Sequence, residues 1–313
     1  MLDAIIIGGG PAGLSAALVL GRCRRRVLLI DAGRPRNYAA RRFHNFLSRD
    51  GEDPAQLLRL GRAEIARYGV ELRPDTVTRA SCTRGGFEIT TAAGHRASCR
   101  TLLLATGVVD ELPAIDGAAR FYGSGLHHCP YCDAWEYSGR SIAAYGRMHK
   151  GIGLGMSLLT WSPNVTVLTD GQKLRAQSRR DARELGLTLR EEKIARLEPR
   201  LPAGPGATDA PPADILGAVV FQTGERLEID ALFFNTGQYQ RSALASTLGC
   251  SLTKDGGIAR DKRQRTGVPG LYLAGDASHD VQLVIVAAAE GAKAGMAMNG
   301  ELQRRDRGEE DPE

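Results

Sequence analysis

The sequence predicts an α/β protein with two Rossmann-like domains of the three-layer ββα type, the first of them discontinuous along the chain. A strand, a glycine turn and a helix open the chain, a similar unit recurs in its middle, and an apolar strand ending in Gly-Asp lies near its end. We assign residues 1–115 and 240–313 to the first domain and residues 116–239 to an inserted domain.

Composition restricts the classes of function. The 313 residues are 42% hydrophobic and 25% charged, which is typical of a soluble globular protein with room for two cores. The net charge of +5 comes from scattered arginines, which argues against nucleic-acid binding. No apolar run approaches the ~20 residues that span a bilayer, and the apolar start leads into glycines, so we expect neither a membrane partner nor a signal peptide. Six cysteines without framework spacing favour a reducing cytoplasm.

The N-terminal segment has the order of a dinucleotide-binding unit. Residues 2–7 form an apolar strand, a glycine turn follows, residues 14–20 have a helical pattern, and the strand at 27–30 ends in an acid. The first glycine allows a tight turn, the second lets a pyrophosphate approach the backbone, and the third lets the helix pack against the sheet. The helix start binds phosphates, and the acid binds a ribose diol. The predicted binding residues are Gly8, Gly10, Pro11, Ala12, Gly13 and Asp31.

Two further segments resemble the FAD-binding segments of flavoproteins with two dinucleotide domains. Residues 102–107 form a strand that ends in a glycine turn, and residues 270–277 form a strand before a helix from about 283 to 299. This resemblance implies FAD, with Asp276 on the ribityl chain and the helix start directed at the flavin. After Gly300 we expect a charged, frayed tail. The residues it assigns to FAD are Ala105, Thr106, Gly107, Gly275, Asp276 and Val284.

The middle of the chain predicts a second Rossmann-like unit. Residues 142–145 and 165–168 read as strands around a glycine turn and an amphipathic stretch, and residues 231–235 read as a strand that returns to the first domain. Two hairpin strands, 191–198 and 216–223, flank a Pro/Gly/Ala-rich loop at 199–212, which we expect to be mobile.

The same segment carries two cysteines separated by two residues, Cys129 and Cys132. This spacing can close a small disulfide ring, and a thiolate formed there can attack a disulfide or a flavin. A buried structural pair is one alternative. Zinc is another, but it needs further ligands at suitable spacing, and the other four cysteines are scattered singly. We therefore predict a redox pair and no metal.

With FAD segments at both ends and Cys-x-x-Cys-Asp in the insert, the chain resembles the low-molecular-weight thioredoxin reductases along nearly its whole length. The resemblance implies a homodimer with non-covalent FAD. It makes Cys132 the cysteine next to the flavin, Cys129 the outer exchange cysteine and Asp133 the acid/base. Asn45 corresponds to a flavin-contacting asparagine.

Two departures from that family concern its NADPH site. Met148 stands where the second glycine turn needs a glycine, and Asp170 follows the next strand in place of a basic cluster that holds a 2′-phosphate. Asp170 could still accept a ribose 2′-OH, and Arg175, Arg179 and Arg180 leave NADPH binding open.

The run from 128 to 136, HCPYCDAWE, resembles instead the dithiol oxidases of natural-product pathways of the gliotoxin, holomycin and romidepsin kinds. The resemblance implies O2 as electron acceptor, H2O2 as product and a small-molecule dithiol as substrate. His128 and His279 are proton-transfer candidates beside Asp133, although either could simply pack or cap. Three hypotheses follow: a dithiol oxidase, an NADPH-dependent disulfide reductase and a flavin-binding redox sensor.

Overall fold

The computed structural model describes residues 1–146, 149–201 and 214–309, which form two compact units. The first unit contains residues 1–38, residues 45–109 and the chain from Tyr239 on. The second contains Ala39–His44 and Asp110–Gln238. Within the described ranges, no helix is long and apolar enough to cross a membrane.

The helices and strands are numbered in chain order. The first stretch contains β1 (Leu2–Ile7), α1 (Pro11–Arg22), β2 (Val27–Asp31), α2 (Pro54–Ala66), β3 (Glu71–Pro74), β4 (Val77–Thr83), β5 (Gly86–Thr91), β6 (Arg96–Leu104) and β7 (Val108–Asp110). The middle contains α3 (Ala118–Phe121), β8 (Leu126–His127), α4 (Pro130–Asp133), β9 (Ile142–Gly146), α5 (His149–Leu158), β10 (Val165–Leu168), α6 (Ala176–Glu184), β11 (Thr188–Arg190), β12 (Ile194–Pro199), β13 (Leu216–Phe221), β14 (Arg226–Glu228), β15 (Ala231–Asn235) and β16 (Gln238–Gln240). The last stretch contains α7 (Leu244–Thr247), β17 (Leu271–Leu273) and α8 (Val284–Asp306).

The first unit is built on a sheet in the order β3-β2-β1-β6-β5-β4, with β17 also paired to β6. Strands β3, β2, β1, β6 and β17 run parallel, whereas β4 and β5 are antiparallel to their neighbours. β6 is long enough to pair with β5 through its first half and with β17 through its second. The two ends of the chain therefore share one sheet, as the discontinuous fold predicts.

Parallel strands buried on both faces explain the apolar runs at the start of this unit. Ile5 and Ile6 are fully buried, and each such side chain contributes about 1.5–3 kcal/mol on leaving water. One face of the sheet is covered by α1 and α8, which approach so closely that a Cβ on Gly291 would lie 1.9 Å from the Ala12 carbonyl oxygen. A glycine at that position is what allows the two helices to contact each other.

The C-terminal helix is longer than the sequence pattern predicts. α8 continues to Asp306, so the expectation of a frayed tail directly after Gly300 is wrong for the first six of those residues. The reason is tertiary: Leu302 is fully buried, and Asp306 accepts hydrogen bonds from Arg25 and Arg100 at 2.7 and 2.6 Å. These contacts fix a charged segment that would not be a stable helix end by itself.

The second unit has a parallel sheet in the order β11-β10-β9-β15-β8 and an antiparallel three-strand sheet, β12-β13-β14. The predicted hairpin strands are β12 and β13, and most of the loop between them (residues 202–213) lies outside the described residues. β8 lies at the edge of the parallel sheet and leads directly into the cysteine motif. His127 of β8 pairs with Phe233 of β15. The α/β fold class predicted from the sequence is confirmed.

Candidate functional site

The N-terminal glycine turn has the geometry that its sequence predicts. Gly8 has φ +109°, and a Cβ there would lie 2.2 Å from the Ala105 carbonyl oxygen. A Cβ on Gly13 would lie 1.9 Å from the Gly8 carbonyl oxygen, so only glycine lets α1 begin this close to β1. Ala105 also donates its N–H to the Ile7 carbonyl at 2.8 Å, which joins the 105–107 turn to the same strand end.

Gly10 differs from Gly8 and Gly13, because a Cβ on Gly10 would have no other atom within 4 Å. It caps α1, with Pro11 in the first turn, so the N–H groups that open the helix face this space. Asp31 ends β2 beside the turn and accepts N–H groups of Gly9 and Gly33 at 3.2 Å each, while Arg62 lies 2.9 Å from its other oxygen. An open space at a helix N-terminus next to a carboxylate fits the pyrophosphate and ribose of FAD.

The C-terminal segment meets this turn within the same unit. Gly275 has φ +82°, and a Cβ there would lie 3.1 Å from the Ala12 Cβ. Its N–H donates to Glu290 of α8 at 2.8 Å, and Glu290 also pairs with Arg260. Burial raises the pKa of Glu290, and the Gly275 hydrogen bond opposes that rise. The buried carboxylate therefore fixes the Gly275 turn just before Asp276.

Asp276 lies close to the start of α8, where Gln282 donates to its carbonyl oxygen at 3.3 Å, and it has a partner that the sequence did not indicate. Arg36 donates to Asp276 Oδ2 at 2.9 Å and to Gln282 Oε1 at 2.8 Å. α8 begins at Val284, and Asn45 takes a left-handed conformation with its N–H on Asp50 Oδ1 at 2.8 Å. Thr106 and Gly107 follow β6 in the same unit.

The cysteine motif forms a closed disulfide between Cys129 and Cys132, with 5.3 Å between their Cα atoms. Cys129 caps the short helix α4, where Pro130 occupies the first position. The Cys129 carbonyl accepts the N–H groups of Cys132 and Asp133 at 3.1 and 3.2 Å. This turn holds both sulfur atoms and the Asp133 carboxylate within one helical turn.

His127, not His128, is the histidine near Asp133. His127 Nδ1 lies 3.3 Å from Asp133 Oδ1, and the imidazole is buried. His127 Nε2 accepts the Gly125 N–H at 3.2 Å and lies 3.1 Å from the Tyr137 hydroxyl. Neither His127 nor Tyr137 was among the residues chosen from the sequence.

His128 belongs to a different cluster. Its Nδ1 lies 3.2 Å from the Tyr122 hydroxyl and 3.8 Å from Asp110 Oδ2, and that hydroxyl donates to Asp110 at 3.0 Å. Tyr122 precedes Cys129 by seven residues and Asp110 by nineteen, and neither belongs to a pattern that relates it to the cysteine motif. The cysteine motif is therefore flanked by two clusters, each with a carboxylate, a tyrosine and a histidine. One contains Asp133, Tyr137 and His127, and the other contains Asp110, Tyr122 and His128.

His279 lies in the first unit, after the turn that carries Asp276. Its Nδ1 is 2.8 Å from the Asp255 carbonyl oxygen, and its Nε2 is 3.4 Å from the Gln240 side-chain nitrogen. Because a carbonyl only accepts and an amide nitrogen only donates, these contacts assign the proton of the neutral ring to Nδ1.

Asp170 is anchored in the second unit. It follows β10 with φ +53°, its Oδ1 accepts the Ile194 N–H at 2.9 Å, and its Oδ2 pairs with Lys193 Nζ at 2.9 Å. Arg179 is held by Glu191 at 2.7 and 2.8 Å. Met148 lies outside the described residues. Among the residues that are described, no group of three or more His, Cys, Asp or Glu side chains is arranged to hold a metal ion.

Dinucleotide-type units, a turn that fits FAD and a disulfide-forming cysteine pair define a class, the flavin-dependent thiol–disulfide oxidoreductases. The family model described as pyridine nucleotide-disulphide oxidoreductase matches residues 2–291, and the chain belongs to this family. The predicted resemblance to thioredoxin-reductase-like flavoproteins and the prediction of FAD are confirmed.

Three relatives illustrate the match. Thioredoxin reductase tcpT of Claviceps purpurea is 30% identical over 287 residues, which cover 88% of this chain and 86% of that protein. Thioredoxin reductase sirT of Leptosphaeria maculans is 28% identical over 313 residues, which cover 96% of this chain and 94% of that protein. The crystal structure of HlmI is 32% identical, covers 98% of this chain and 94% of that one, and superposes with a TM-score of 0.91.

Proposed function

We propose that this chain is an FAD-dependent dithiol oxidase that closes an intramolecular disulfide in a small-molecule dithiol, with O2 as electron acceptor. The observation that carries the choice of an oxidase is the anchored Asp170 carboxylate at the end of β10. In a Rossmann unit the residue there contacts the nucleotide ribose or its 2′-phosphate. An anion would repel a 2′-phosphate, and this one already binds Lys193 and the Ile194 N–H.

Two of the three arginines that could hold a 2′-phosphate already make side-chain contacts within the second unit. Arg179 forms a bidentate pair with Glu191, and Arg180 donates to Gln177 at 2.6 Å. Moving either one to a phosphate would break contacts that it makes within its own unit. These pairings disfavour NADPH as the reductant.

The chemistry at the cysteine pair is thiol–disulfide exchange. A substrate thiolate attacks Cys129 and expels the Cys132 thiolate, and the second substrate thiol then displaces Cys129, which forms the substrate's S–S bond and leaves two cysteine thiols. Asp133, with His128 as a second candidate, takes the protons that the substrate loses. FAD, when bound, supplies the two-electron chemistry that couples this pair to O2. The net change is loss of two hydrogen atoms from the dithiol and formation of H2O2. We propose His279, in the first unit, as a further proton carrier.

Two exposed aromatic side chains favour a small apolar substrate. Tyr131 lies between the cysteines and is 74% exposed, and Trp135 follows them and is 75% exposed. Because both lie within a few residues of the disulfide, these two rings can contact a ligand whose dithiol reaches Cys129.

The remaining expectations are part of the same proposal. The family resemblance implies a homodimer, which light scattering of the purified chain tests. The four other cysteines are unpaired in the structure, as a reducing cytoplasm would require.

Peroxide formation separates the hypotheses. Purified FAD-loaded protein with dithiothreitol and O2 should form H2O2 without NADPH, and Cys129→Ser should abolish this activity while FAD stays bound. NADPH consumption with no NADPH-independent peroxide would overturn the proposal. It would favour the second candidate, an NADPH-dependent disulfide reductase, which is supported by the name thioredoxin reductase given to tcpT and sirT. Turnover of neither substrate would favour a redox sensor.

A further inference from the structure

We propose that His127 is a positioning residue that holds the Asp133 carboxylate in its proton-accepting form next to the redox pair. The inference rests on the thiol–disulfide exchange proposed above. It does not depend on whether O2 or NADPH is the partner of the flavin.

The tautomer of His127 follows from its neighbours. A backbone N–H can only donate, so the Gly125 N–H at 3.2 Å requires a lone pair on His127 Nε2. Burial, and next the negative charge of Asp133, raises the pKa of Tyr137 to about 12, so the phenol keeps its proton at neutral pH. The Tyr137 hydroxyl, 3.1 Å from Nε2, is then a second donor to the same atom. The proton of the neutral ring is therefore on Nδ1.

Nδ1 is the ring nitrogen next to Asp133. It lies 3.3 Å from Asp133 Oδ1, slightly beyond the usual N–H···O range of about 2.7–3.2 Å, so its N–H dipole still acts on this carboxylate. A donor on a carboxylate favours its ionised form. An ionised Asp133 directly after Cys132 can take a proton from an incoming thiol, whereas a protonated one cannot.

The ring of His127 has little freedom to turn away. It is buried at the end of β8, with the Phe233 and Tyr137 ring centroids each 5.5 Å from its own. Rotating the imidazole would break the Gly125 contact. The fold therefore holds the donor in place before any substrate arrives.

Other charges near this cluster are largely compensated. Glu136 lies on the same turn and pairs with His44 at 3.3 Å. Arg200 and Arg140 both pair with Asp230, at 2.7 and 3.8 Å. None of these groups changes when His127 is replaced, so a change in pH dependence reports on His127 itself.

The test is a single turnover of FAD-loaded protein with dithiothreitol under argon, from about pH 4.5 to about pH 8. Formation of oxidised dithiothreitol counts the electrons taken up, wherever in the protein they reside. The rate of every variant falls at low pH because the thiols of dithiothreitol become protonated, so the comparison is the rate at about pH 5 divided by the rate at about pH 8. In His127→Phe, which keeps a flat ring between Phe233 and Tyr137, this ratio should be roughly 2- to 3-fold lower than in wild type, because the carboxylate has lost its nearby N–H group.

His127→Asn restores an N–H close to the Nδ1 position and should restore the wild-type profile. His95→Phe, on an exposed turn of the other unit, controls for loss of a histidine. An unchanged profile in His127→Phe, or equal shifts in the Phe and Asn variants, would overturn the proposal. Because the assay contains neither O2 nor NADPH, a failed peroxide test leaves it intact.

Discussion

Two glycines of the N-terminal turn predict opposite effects of the same substitution. Gly10→Ala adds a Cβ into a space with nothing within 4 Å, and Gly10 already has φ −75°, which alanine adopts freely. The free energy of unfolding of the apo-protein should change by less than about 1 kcal/mol, because a small capping cost opposes a gain in unfolded-state entropy. The same Cβ would occupy the space that a pyrophosphate needs, so FAD affinity should fall.

Gly13→Ala should damage the fold itself. The new Cβ would lie 1.9 Å from the Gly8 carbonyl oxygen, whereas real Cβ contacts are essentially never under 3.0 Å, so α1 must move by about 1.1 Å from β1. The two atoms nearest to the new Cβ, the oxygen and carbon of the Gly8 carbonyl, belong to the backbone and cannot rotate away, and overpacking of this kind costs about 1–3 kcal/mol. For a chain of this size that is a fall in Tm of several degrees.

Thermal unfolding with and without FAD distinguishes the two effects. Wild type should gain about 2.7 kcal/mol at an FAD concentration 100 times its Kd, and Gly10→Ala should lose most of that gain at the same concentration. Gly153→Ala is the matched control, since its Cβ would also be in open space but lies on α5 of the other unit. Full FAD binding by Gly10→Ala, or wild-type stability of Gly13→Ala, would refute this account of the turn.

Two further predictions concern other parts of the chain. Brief iodoacetamide treatment of the native oxidised protein should label the exposed thiols of Cys23 and Cys82. Cys99 should not be labelled, because burial raises the pKa of its thiol to about 12. Rapid labelling of Cys99, detected by peptide mass spectrometry, would contradict its burial. Asp170→Ala should lower the free energy of unfolding by about 1–3 kcal/mol, because it leaves the Ile194 N–H without its acceptor, while dithiol oxidation per FAD stays unchanged. Loss of that activity in a protein with an unaltered Tm would show that Asp170 serves the reaction and not the fold.

The sequence by itself was sufficient for the features that depend on local backbone chemistry. The glycine turn and the spacing of Cys129 and Cys132 each require particular residues within a few positions of one another, and Asp31 ends the next strand of the same unit, so they could be recognised before any fold was known. The order of apolar strands around them indicated the α/β class and its two dinucleotide-type units, because parallel strands buried on both faces have a continuous apolar pattern.

Only the tertiary structure decided which side chains meet. His127 and His128 are adjacent, and neighbouring side chains at a strand end point to opposite sides, so the motif could not indicate which histidine approaches Asp133. Asp170 could be recognised as an anion at the end of a strand, but Lys193 and Ile194, which hold it, lie more than 20 residues away. The last turns of α8 depend in the same way on Arg25 and Arg100. Contacts between residues distant along the chain follow from the packing of sheets and helices, so a local sequence pattern does not predict them.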